Sequence, residues 1–492
     1  MYRGIGCAVF SIVCCGGALA QVAPASPASL SAVEITSIEN GLTPRVVLAD
    51  ETRKTYDIND RMALLGVPGV SVAIFDDRHV IWAKGYGSTD SRRLQRVDVH
   101  TRFQAASISK SVTAFAVMTL VQSKGLNLDR DVNDYLRTWK VPSSEPNRTE
   151  KVTIRRLLSH TAGLNVGGFA GYERTQTIPD AIGVLNGKGN SPALRVEAVP
   201  GSRYSYSGGG YVVLQKLIED QSGMPFGRYL QQHVLTPLHM VDSTFDSYPE
   251  GNVSLAHQFD GQPFPGGWHV YPELAPAGLW TTPSDIAKFC FGMLRALSGA
   301  KGALISRSLA EQMIQPSGKP GGGDGYGLGF ELRGKDATAS FGHGGSNAGF
   351  KSELFYFPQR RLGVVLMTNS ENGRVVRNEL ARAISNKFAL GLFPTRAVTR
   401  IPVSADALAA ITGRYQYPGA KNYFFDATVG PDDELVLKDL TTGKTNHLVA
   451  FDRDKFIDRY TGEGITVTRD AATGEITGLL DNDGDALLRV KG

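Results

Sequence analysis

The stretch "FQAASISKSVTAF", residues 103–115, places a serine and a lysine three positions apart in an otherwise apolar segment. Residues i and i+3 of a helix lie on one face, so the Ser107 hydroxyl and the Lys110 amine are predicted to lie within hydrogen-bonding reach. At the start of a helix, unpaired N–H groups and the helix dipole also favour developing negative charge. A buried amine with a lowered pKa can accept the serine proton. The pair therefore indicates covalent catalysis. A serine that only caps the helix, next to a lysine exposed to solvent, would have the same sequence pattern.

The chain carries a second match to this S-x-x-K pattern, Ser298-Gly299-Ala300-Lys301. That match lies in a glycine-containing segment without the apolar spacing of a helix, so we expect a surface loop there. Because one chain contains the pattern twice, the pattern alone does not identify a nucleophile. The neighbouring sequence has to decide between the two serines.

Two further stretches carry residues that suit an enzyme site. In "PGSRYSYSGGGYVVLQ" (200–215), Tyr206 comes two residues before three glycines, where the backbone can approach a ligand closely. In "FGHGGSNAGF" (341–350), His343 and two glycines follow a run that is typical of a strand. Tyr204 is the alternative tyrosine, but it lies further from the glycines, so Tyr206 is preferred.

Together, these three stretches resemble the serine β-lactamase and penicillin-binding protein superfamily. Within it the chain is most similar to class C β-lactamases, DD-peptidases and their esterase and D-aminopeptidase relatives, over roughly residues 45–390. The segments "LLSHTAGL", "GLWTTPSDIAKF", "YGLGF" and "GVVLMTN" have the same family character. The resemblance implies an exported serine hydrolase that works through an acyl-enzyme, and we expect no cofactor and no metal.

The resemblance also implies a role for each residue. Ser107 corresponds to the acylated nucleophile, Lys110 to its amine partner, and Tyr206 to the residue that passes protons to and from the leaving group. His343 is included among the catalytic residues and stands where β-lactamases often carry the lysine of Lys-Thr-Gly. A neutral imidazole near its pKa holds a substrate carboxylate less firmly than an ammonium does. The residues expected to bind substrate are Gly208, Gly344, Gly345 and Ser346.

Substrate class depends on departures from the family pattern. Where the family often has Tyr-x-Asn, this chain has Tyr206-Ser207-Gly208, so an amide that usually contacts the substrate side chain is missing. The backbone N–H groups of Ser107 and Ser346 are expected to form the oxyanion hole. We therefore expect a peptidase or esterase, DD-carboxypeptidase-like or D-aminopeptidase-like, acting on a small molecule or peptide. A β-lactamase and a penicillin-binding sensor without turnover are the alternatives.

The first 20 residues have a different composition. Arg3, an apolar run from Ile5 to Cys15 and an A-x-A site at Ala18-Leu19-Ala20 form the pattern of a signal peptide cut after Ala20. This pattern predicts a periplasmic or secreted protein. Residues 21–44, which begin with a segment rich in alanine, proline and serine, are expected to be a loose lead-in. No later segment has eighteen uninterrupted apolar residues, so we expect no transmembrane segment in the mature chain.

The rest of the chain divides into two predicted domains. Residues 45–395 read as an α+β hydrolase domain, in which an antiparallel sheet is assembled from both ends around a helical insertion. Its first strands are predicted in "GVSVAIFDD" and "HVIWAKGYG" (69–77 and 79–87). Residues 400–492 show short strand-like runs separated by polar turns, which indicate a small C-terminal barrel or sandwich that shapes the site rim without a catalytic residue.

Several function classes are disfavoured. The net charge is only +4 and basic residues never form a run of five, so we expect no nucleic-acid partner. The histidines show neither H-x-H nor H-E-x-x-H spacing, which argues against zinc. "DNDGD" (481–485) lacks EF-hand spacing and is better explained as a tight turn. The segment 344–348 resembles the G-x-S-x-G of α/β-hydrolases, but it ends in alanine and lacks α/β alternation around it.

Two remaining residues have structural interpretations. Cys290 is the only cysteine after the predicted signal peptide and lies at helical apolar spacing, so a buried core thiol is expected. His160 is expected to be a hydrogen-bonding residue near a helix end, with Ser159 and Thr161 as its natural partners.

Overall fold

The computed structural model describes residues 29–52, 55–318, 325–420, 422–482 and 484–490, and for residues 93, 94 and 432 it describes the backbone only. The predicted signal peptide, residues 1–20, lies outside the described residues, as do residues 21–28 of the expected lead-in. Within the described part, no helix is long and apolar enough to cross a membrane.

The main domain combines one large sheet with helices on both of its faces. Its strands are β1 (Val46–Leu48), β2 (Gly69–Phe75), β3 (Val80–Asp90), β4 (Arg93–Arg96), β5 (Phe103–Gln104), β6 (Trp280–Thr281), β7 (Gly325–Tyr326), β8 (Glu331–Arg333), β9 (Ser340–Asn347), β10 (Phe350–Phe357), β11 (Leu362–Thr368) and β12 (Arg396–Val398). Its helices are α1 (Ala32–Glu39), α2 (Ile58–Leu64), α3 (Ile108–Lys124), α4 (Ile154–Leu158), α5 (Ala181–Leu185), α6 (Gly208–Ser222), α7 (Phe226–Leu230), α8 (Leu274–Ala277), α9 (Pro283–Leu297), α10 (Arg307–Met313) and α11 (Gly373–Phe388).

The large sheet has the strand order β4-β3-β2-β11-β10-β9-β8-β7, and its neighbouring strands are antiparallel. Strand β11 is buried on both faces because its side chains alternate between two cores. Val364 and Leu366 pack in the core beneath α11, whereas Val365 and Met367 pack in the core that contains α3, α6 and α9. The predicted α+β plan is confirmed: strands from both ends of the domain form the sheet, and helices α3–α10 come between them.

Helix α3 lies inside the larger core. Its residues from Ile108 to Met118 are all buried, and it ends at Gly125, whose φ of 63° suits a glycine C-cap. Helix α8 packs beside it, and the α8 carbonyls of Pro276 and Ala275 accept hydrogen bonds from the Lys110 and Thr113 side chains of α3. A helix surrounded in this way holds its first turn rigidly against the sheet.

The expected loose lead-in is wrong for its second half. Residues Ala32–Glu39 form α1, which begins with a capping box between Ser31 and Glu34. Ile38 is fully buried in the core beneath α11, and Lys387 of α11 lies 3.0 Å from Glu34. The alanine- and serine-rich composition concealed a short capped helix that is stabilised by its contacts with a distant part of the chain.

The C-terminal segment is a closed antiparallel barrel, as one of the two predicted alternatives required. Helix α12 (Ala405–Ile411) leads into it. The barrel strands are β13 (Gly413–Gln416), β14 (Phe424–Val429), β15 (Leu435–Asp439), β16 (Thr445–Asp452), β17 (Lys455–Asp458), β18 (Gly464–Arg469), β19 (Ile476–Asp481) and β20 (Ala486–Arg489). The described part of "DNDGD" forms the β19–β20 turn, closed by a 2.8 Å bond from the Asp485 N–H to the Asp481 carboxylate.

The barrel packs firmly against the main domain. Strands β1 and β12 pair in parallel, and their Val46, Leu48 and Val398 form a small apolar core with Val449 and Ile457 of the barrel. Burial of such side chains stabilises the contact by about 1.5–3 kcal/mol each. The barrel therefore has a fixed position relative to the main domain.

Candidate active site

Ser107 lies at the N-terminal end of α3, directly after a strained residue. Ala106 has a φ of 49°, a left-handed conformation that non-glycine residues adopt rarely. Such strain persists only where the surrounding structure enforces it, and it is common at functional sites. Lys110 Nζ lies 2.9 Å from Ser107 Oγ and 3.1 Å from the Pro276 carbonyl of α8. The predicted approach of hydroxyl and amine is thus present in the folded chain.

Lys110 is a buried amine. Its side chain lies among the rings of Tyr206 and Tyr211, whose centroids are 4.9 and 5.7 Å from Nζ. Burial lowers the pKa of Lys110 to about 7, although the negative charge of Glu331 acts in the opposite direction. A substantial fraction of Lys110 is therefore neutral near pH 7 and able to accept a proton.

Tyr206 is placed against Ser107 by the start of α6. The Ser207 side chain caps that helix by accepting the Gly210 N–H at 3.1 Å, and this fixes the backbone that carries Tyr206. Burial raises the pKa of Tyr206 far above its usual value, while a hydrogen bond to Ser107 lowers it slightly. The residue is therefore a neutral phenol. Tyr206 lines the same cavity as Ser107, whereas Tyr204 does not.

His160 supports this arrangement from behind. Its Nδ1 accepts the Ser207 N–H at 3.0 Å, and its ring lies 4.2 Å from the ring of Tyr206. Burial lowers the pKa of His160 well below the usual range, so the ring is neutral. His160 is a structural hydrogen-bonding residue, as expected, but the expected partners are wrong. Ser159 and Thr161 bond to each other, 2.9 Å apart.

His343 lies on β9 with both ring nitrogens engaged. Nδ1 lies 2.6 Å from the Gly344 carbonyl, which makes it the donor, and Nε2 lies 3.0 Å from the Tyr326 hydroxyl. Burial, with a smaller effect of the positive charge on Lys110, lowers the pKa of His343 to about 4. The imidazole is therefore neutral near pH 7, but it is well removed from its pKa rather than close to it. It lines the cavity although its side chain is only 1% exposed.

The glycines of β9 allow a close approach to the turn before Ser107. A Cβ on Gly345 would lie 2.3 Å from the Ala105 carbonyl oxygen, so only glycine fits there. At Gly344 a Cβ would lie 3.3 Å from the Glu353 carboxylate, which is less crowded. Gly345 thus brings β9 against the start of α3, and both glycines line the cavity.

Ser346 lies on the open edge of β9. The two-residue turn between β9 and β10 makes Asn347 and Phe350 a hydrogen-bonded pair, so the next pair, Ser346 and Lys351, directs its backbone groups away from each other. Strand β8 covers only Ser340–Gly342 of β9. The Ser346 N–H is therefore free to face a ligand in the cavity that it lines with Ser107.

The cavity has a volume of about 950 Å³ and lies between the main domain and the barrel. Its apolar wall includes Leu64, Leu65, Phe259 and Val375, and the barrel contributes Gly443–His447 and Tyr460–Thr461. Gly208 does not line it: a Cβ on Gly208 would lie 2.9 Å from the Phe169 ring, so this glycine serves packing beneath α6. Of the eight residues predicted for the site, six line this cavity, and a seventh, Lys110, contacts Ser107 from behind the cavity wall.

Sequence reasoning missed one acidic residue. Glu331, the first residue of β8, lines the cavity, and its carboxylate lies 3.5 Å from both the Gly344 N–H and His343 Nδ1. Nothing near it in "LGFELR" marks it as functional, since its contacts come from the pairing of β8 with β9. Within the described residues, no group of three or more histidine, cysteine, aspartate or glutamate side chains is arranged to hold a metal.

The other two sequence interpretations concern residues outside the cavity. Cys290 is fully buried in α9, and burial raises the pKa of its thiol, as a core cysteine requires. Ser298 ends α9 and donates to the Arg295 carbonyl at 2.9 Å.

Comparison with known proteins identifies the family. The sequence model of the Beta-lactamase family matches residues 57–387. The chain is similar to protein flp of Staphylococcus aureus (strain N315), 26% identical over 318 residues, a match that covers 62% of this chain and 60% of flp. It is also similar to penicillin-binding protein 4 of Amycolatopsis lactamdurans, 27% identical over 387 residues, covering 72% of this chain and 94% of the relative.

Solved structures share the fold. The octameric penicillin-binding protein homologue from Pyrococcus abyssi matches with a TM-score of 0.60 and 24% identity, over 87% of this chain and 98% of that one. EstCE1, described as a hydrolase with promiscuous acyltransferase activity, matches with a TM-score of 0.54 and 22% identity, over 66% of this chain and 96% of its own. At these identities the likeness shows the fold alone.

Proposed function

Because this chain belongs to the Beta-lactamase family, whose members are generally serine hydrolases, we propose that it cleaves an ester or amide bond through an acyl-enzyme on Ser107. The observation that carries the proposal is the 2.9 Å contact between Lys110 Nζ and Ser107 Oγ in a site where burial brings the lysine pKa to about 7. Few other environments supply a neutral amine next to a serine at the positive end of a helix.

Acylation starts with the transfer of the Ser107 proton to neutral Lys110. Oγ then attacks the substrate carbonyl carbon, and the carbonyl oxygen becomes an oxyanion held by the N–H groups of Ser107 and Ser346. Each such donor contributes about 3–4 kcal/mol to the stability of the transition state in serine hydrolases. When the bond to the leaving group breaks, Tyr206 donates its proton to that group and is reprotonated through Lys110.

Deacylation reverses the same proton path. Water enters from the cavity and gives a proton through Tyr206 toward Lys110 while its oxygen attacks the acyl carbon. The tetrahedral intermediate then collapses, Ser107 recovers its proton and the acid product leaves. A neutral Tyr206 suits this relay, because it can donate and accept within one hydrogen-bonded chain.

We infer that the substrate is an ester or amide, DD-carboxypeptidase-like or D-aminopeptidase-like in type, rather than a β-lactam antibiotic. Protection against penicillins requires a specifically accelerated deacylation, and this chain lacks the asparagine after Tyr206. A sensor that is acylated without turnover is the second candidate, because an intact Ser107–Lys110 pair supports acylation alone.

The proposal also includes an exported mature protein, cut after Ala20, with a hydrolase domain over 45–395 and a barrel domain over 400–492. The barrel contributes only to the cavity wall and supplies none of the groups that move protons. Sequencing the N-terminus of the protein recovered from the periplasm or medium tests the predicted cut.

Covalent labelling tests the central step. A fluorophosphonate should modify Ser107, as identified by peptide mass spectrometry, and Ser107→Ala should abolish the labelling while Ser298→Ala preserves it. Burst kinetics with a chromogenic ester then separate the two candidates. Continued product release indicates a hydrolase, whereas one equivalent per protein indicates a sensor. Equal labelling of wild type and Ser107→Ala would refute both.

A further inference from the structure

We propose that Glu331 selects the substrate class by disfavouring leaving groups that carry a carboxylate, so that the enzyme cleaves esters and amides with uncharged or cationic leaving groups. This inference rests on the proposed function, and it concerns which bond partners the Ser107 site accepts.

The position of Glu331 is the first argument. Glu331 pairs with Gly342 of β9, and its side chain extends along that strand toward Gly344, with a carboxylate oxygen 3.5 Å from the Gly344 nitrogen. The side chain is 25% exposed and lines the cavity together with Ser107 and Tyr206. Glu331 is the acidic group on the open backbone edge of β9 at Gly344, whereas the Glu353 carboxylate lies over the face of the sheet beside that glycine.

The direction of the substrate is the second argument. A carbonyl oxygen at the Ser346 N–H places the substrate along the open edge of β9, in the manner of an added strand. The part of the substrate that extends toward Gly344 then approaches Glu331. Tyr206, the proton donor to the leaving group, lies on the same side, with its ring 6.2 Å from that of His343. The leaving group is therefore the part of the substrate that faces Glu331.

The charge of Glu331 reaches the reacting groups. Its carboxylate raises the pKa of Lys110 and of Tyr206, which means that negative charge is felt at both. Its counterion, Arg333, lies over the Phe355 ring and does not line the cavity. Arg333 also forms an ion pair with Glu353 at 3.0 Å. Glu353 forms a second ion pair with Arg377 at 3.1 Å. Of these four groups, Glu353 and Arg377 line the cavity as a pair, whereas Glu331 faces the cavity with its counterion Arg333 turned away from it.

The other charged groups of the cavity do not reverse this bias. Lys351 is paired with Glu371 at 2.6 Å. At the mouth, Arg374 and Lys444 both lie near Glu463, at 3.7 and 3.4 Å, and Asp260 also lines the cavity. Arg377 also lines the cavity, but it is paired with Glu353 at 3.1 Å. Within the described residues, none of these cations forms a hydrogen bond or an ion pair with Glu331 or Gly344. A carboxylate beside Gly344 would therefore meet like charge.

The chemical consequence is specific. In a peptide with a free C-terminus, cleavage of the last bond releases an amino acid whose carboxylate lies on the leaving side. In a penicillin or cephalosporin, the ring carboxylate also lies on the side of the lactam nitrogen. Both classes would place negative charge near Glu331, whereas an alcohol, an amine or an amino-acid amide would not. Of the two substrate types proposed above, Glu331 therefore favours the D-aminopeptidase-like amides and esters and disfavours the DD-carboxypeptidase-like peptides, whose leaving group carries a free carboxylate.

Matched esters test this selection without any variant. The probes are 3-acetoxybenzoate, 3-acetoxybenzamide and 3-acetoxy-N,N,N-trimethylanilinium, which share one acyl group and differ in leaving-group charge. After correction for their rates of hydroxide hydrolysis, kcat/KM of the wild type should be about tenfold lower for the anionic ester than for the neutral one. The cationic ester should be at least as good as the neutral one. A preference for the anionic ester would overturn the inference.

The variant Glu331→Gln should remove most of the discrimination between the anionic and neutral esters. Because any change in the Lys110 pKa affects both esters alike, the ratio of their kcat/KM values isolates the effect on the leaving group. Glu463→Gln removes a carboxylate at the cavity mouth and should leave the ratio unchanged. If Glu331→Gln hydrolyses both esters with the wild-type ratio, the inference fails while the proposed function stands. If Ser107→Ala hydrolyses them as well as the wild type, the proposed function itself fails.

Discussion

The two S-x-x-K segments of this chain have the same letters and opposite surroundings. Ser107 begins α3, and its partner Lys110 is only 3% exposed, with Nζ 2.9 Å from the hydroxyl. Ser298 ends α9 and is exposed, its hydroxyl donates to the Arg295 carbonyl, and Lys301 is exposed beyond the helix. One serine lies at the positive end of a helix and the other at the negative end. Burial and helix polarity, rather than the motif, distinguish a candidate nucleophile from a surface serine.

Replacing the lysine of each S-x-x-K segment tests this difference between the two segments and should give the largest effect. Lys110→Ala should reduce the second-order rate of fluorophosphonate labelling by about 10³-fold or more, because Ser107 loses the group that accepts its proton. Lys301→Ala is the matched control and should leave the rate unchanged. Acylation near the wild-type rate in a folded Lys110→Ala protein would make Tyr206 the base.

The tyrosines allow a second contrast, because only one of them lines the cavity with Ser107. Tyr206→Phe should lower kcat for a chromogenic ester by about 10²-fold, since the leaving group loses its proton donor. Tyr204→Phe should have little effect, and thermal melts of both variants show whether the fold is kept. A larger loss in Tyr204→Phe would reverse the assignment of the two residues.

Substitution of His160 should lower kcat by a smaller amount, and a second substitution at the same position should restore much of it. His160→Ala removes the acceptor of the Ser207 N–H and should lower kcat by about tenfold through misplacement of Tyr206, with little change in KM. Asparagine tolerates the positive φ of 57° at this position and carries an oxygen acceptor, so His160→Asn should recover much of kcat. Equal losses in both variants would show that the imidazole acts by more than accepting this bond.

The barrel side of the cavity should give the smallest effect. Thr445→Trp narrows the cavity far from Ser107, so kcat/KM for a bulky ester should fall about fivefold while labelling by a small fluorophosphonate stays unchanged. Thr477→Trp lies on an exposed part of the barrel and serves as the control. A lost labelling reaction in folded Thr445→Trp would mean that the barrel supplies part of the reacting site.

Local spacing explains what the sequence could predict. Ser107 and Lys110 are three residues apart, the strands of the sheet are apolar runs, and the barrel strands are separated by polar turns. These features depend on neighbours in the chain, and they predict the α+β plan and the barrel. The family is predicted from the resemblance that three short motifs carry. The roles of the site residues stay predictions, although the structure brings most of them together.

Contacts between distant segments explain what the sequence did not predict. Glu331 reaches Gly344 only because β8 pairs with β9, and His160 meets Ser207 across 47 positions of the chain. Gly208 follows a promising tyrosine, yet its missing side chain makes room for Phe169 rather than for a substrate. Composition predicts a loose lead-in, because it does not show that Ile38 is buried against α11.

The pH dependence of Ser107 labelling tests the central claim most directly, namely that burial of Lys110 activates the serine. The neutral form of Lys110 increases with pH through its pKa of about 7, so the second-order labelling rate should rise about tenfold per pH unit below 7 and level off above it. His343, with its pKa lowered to about 4, does not titrate in that window. A rate that is constant from pH 5 to 9, or one that keeps rising toward pH 10, would contradict the account.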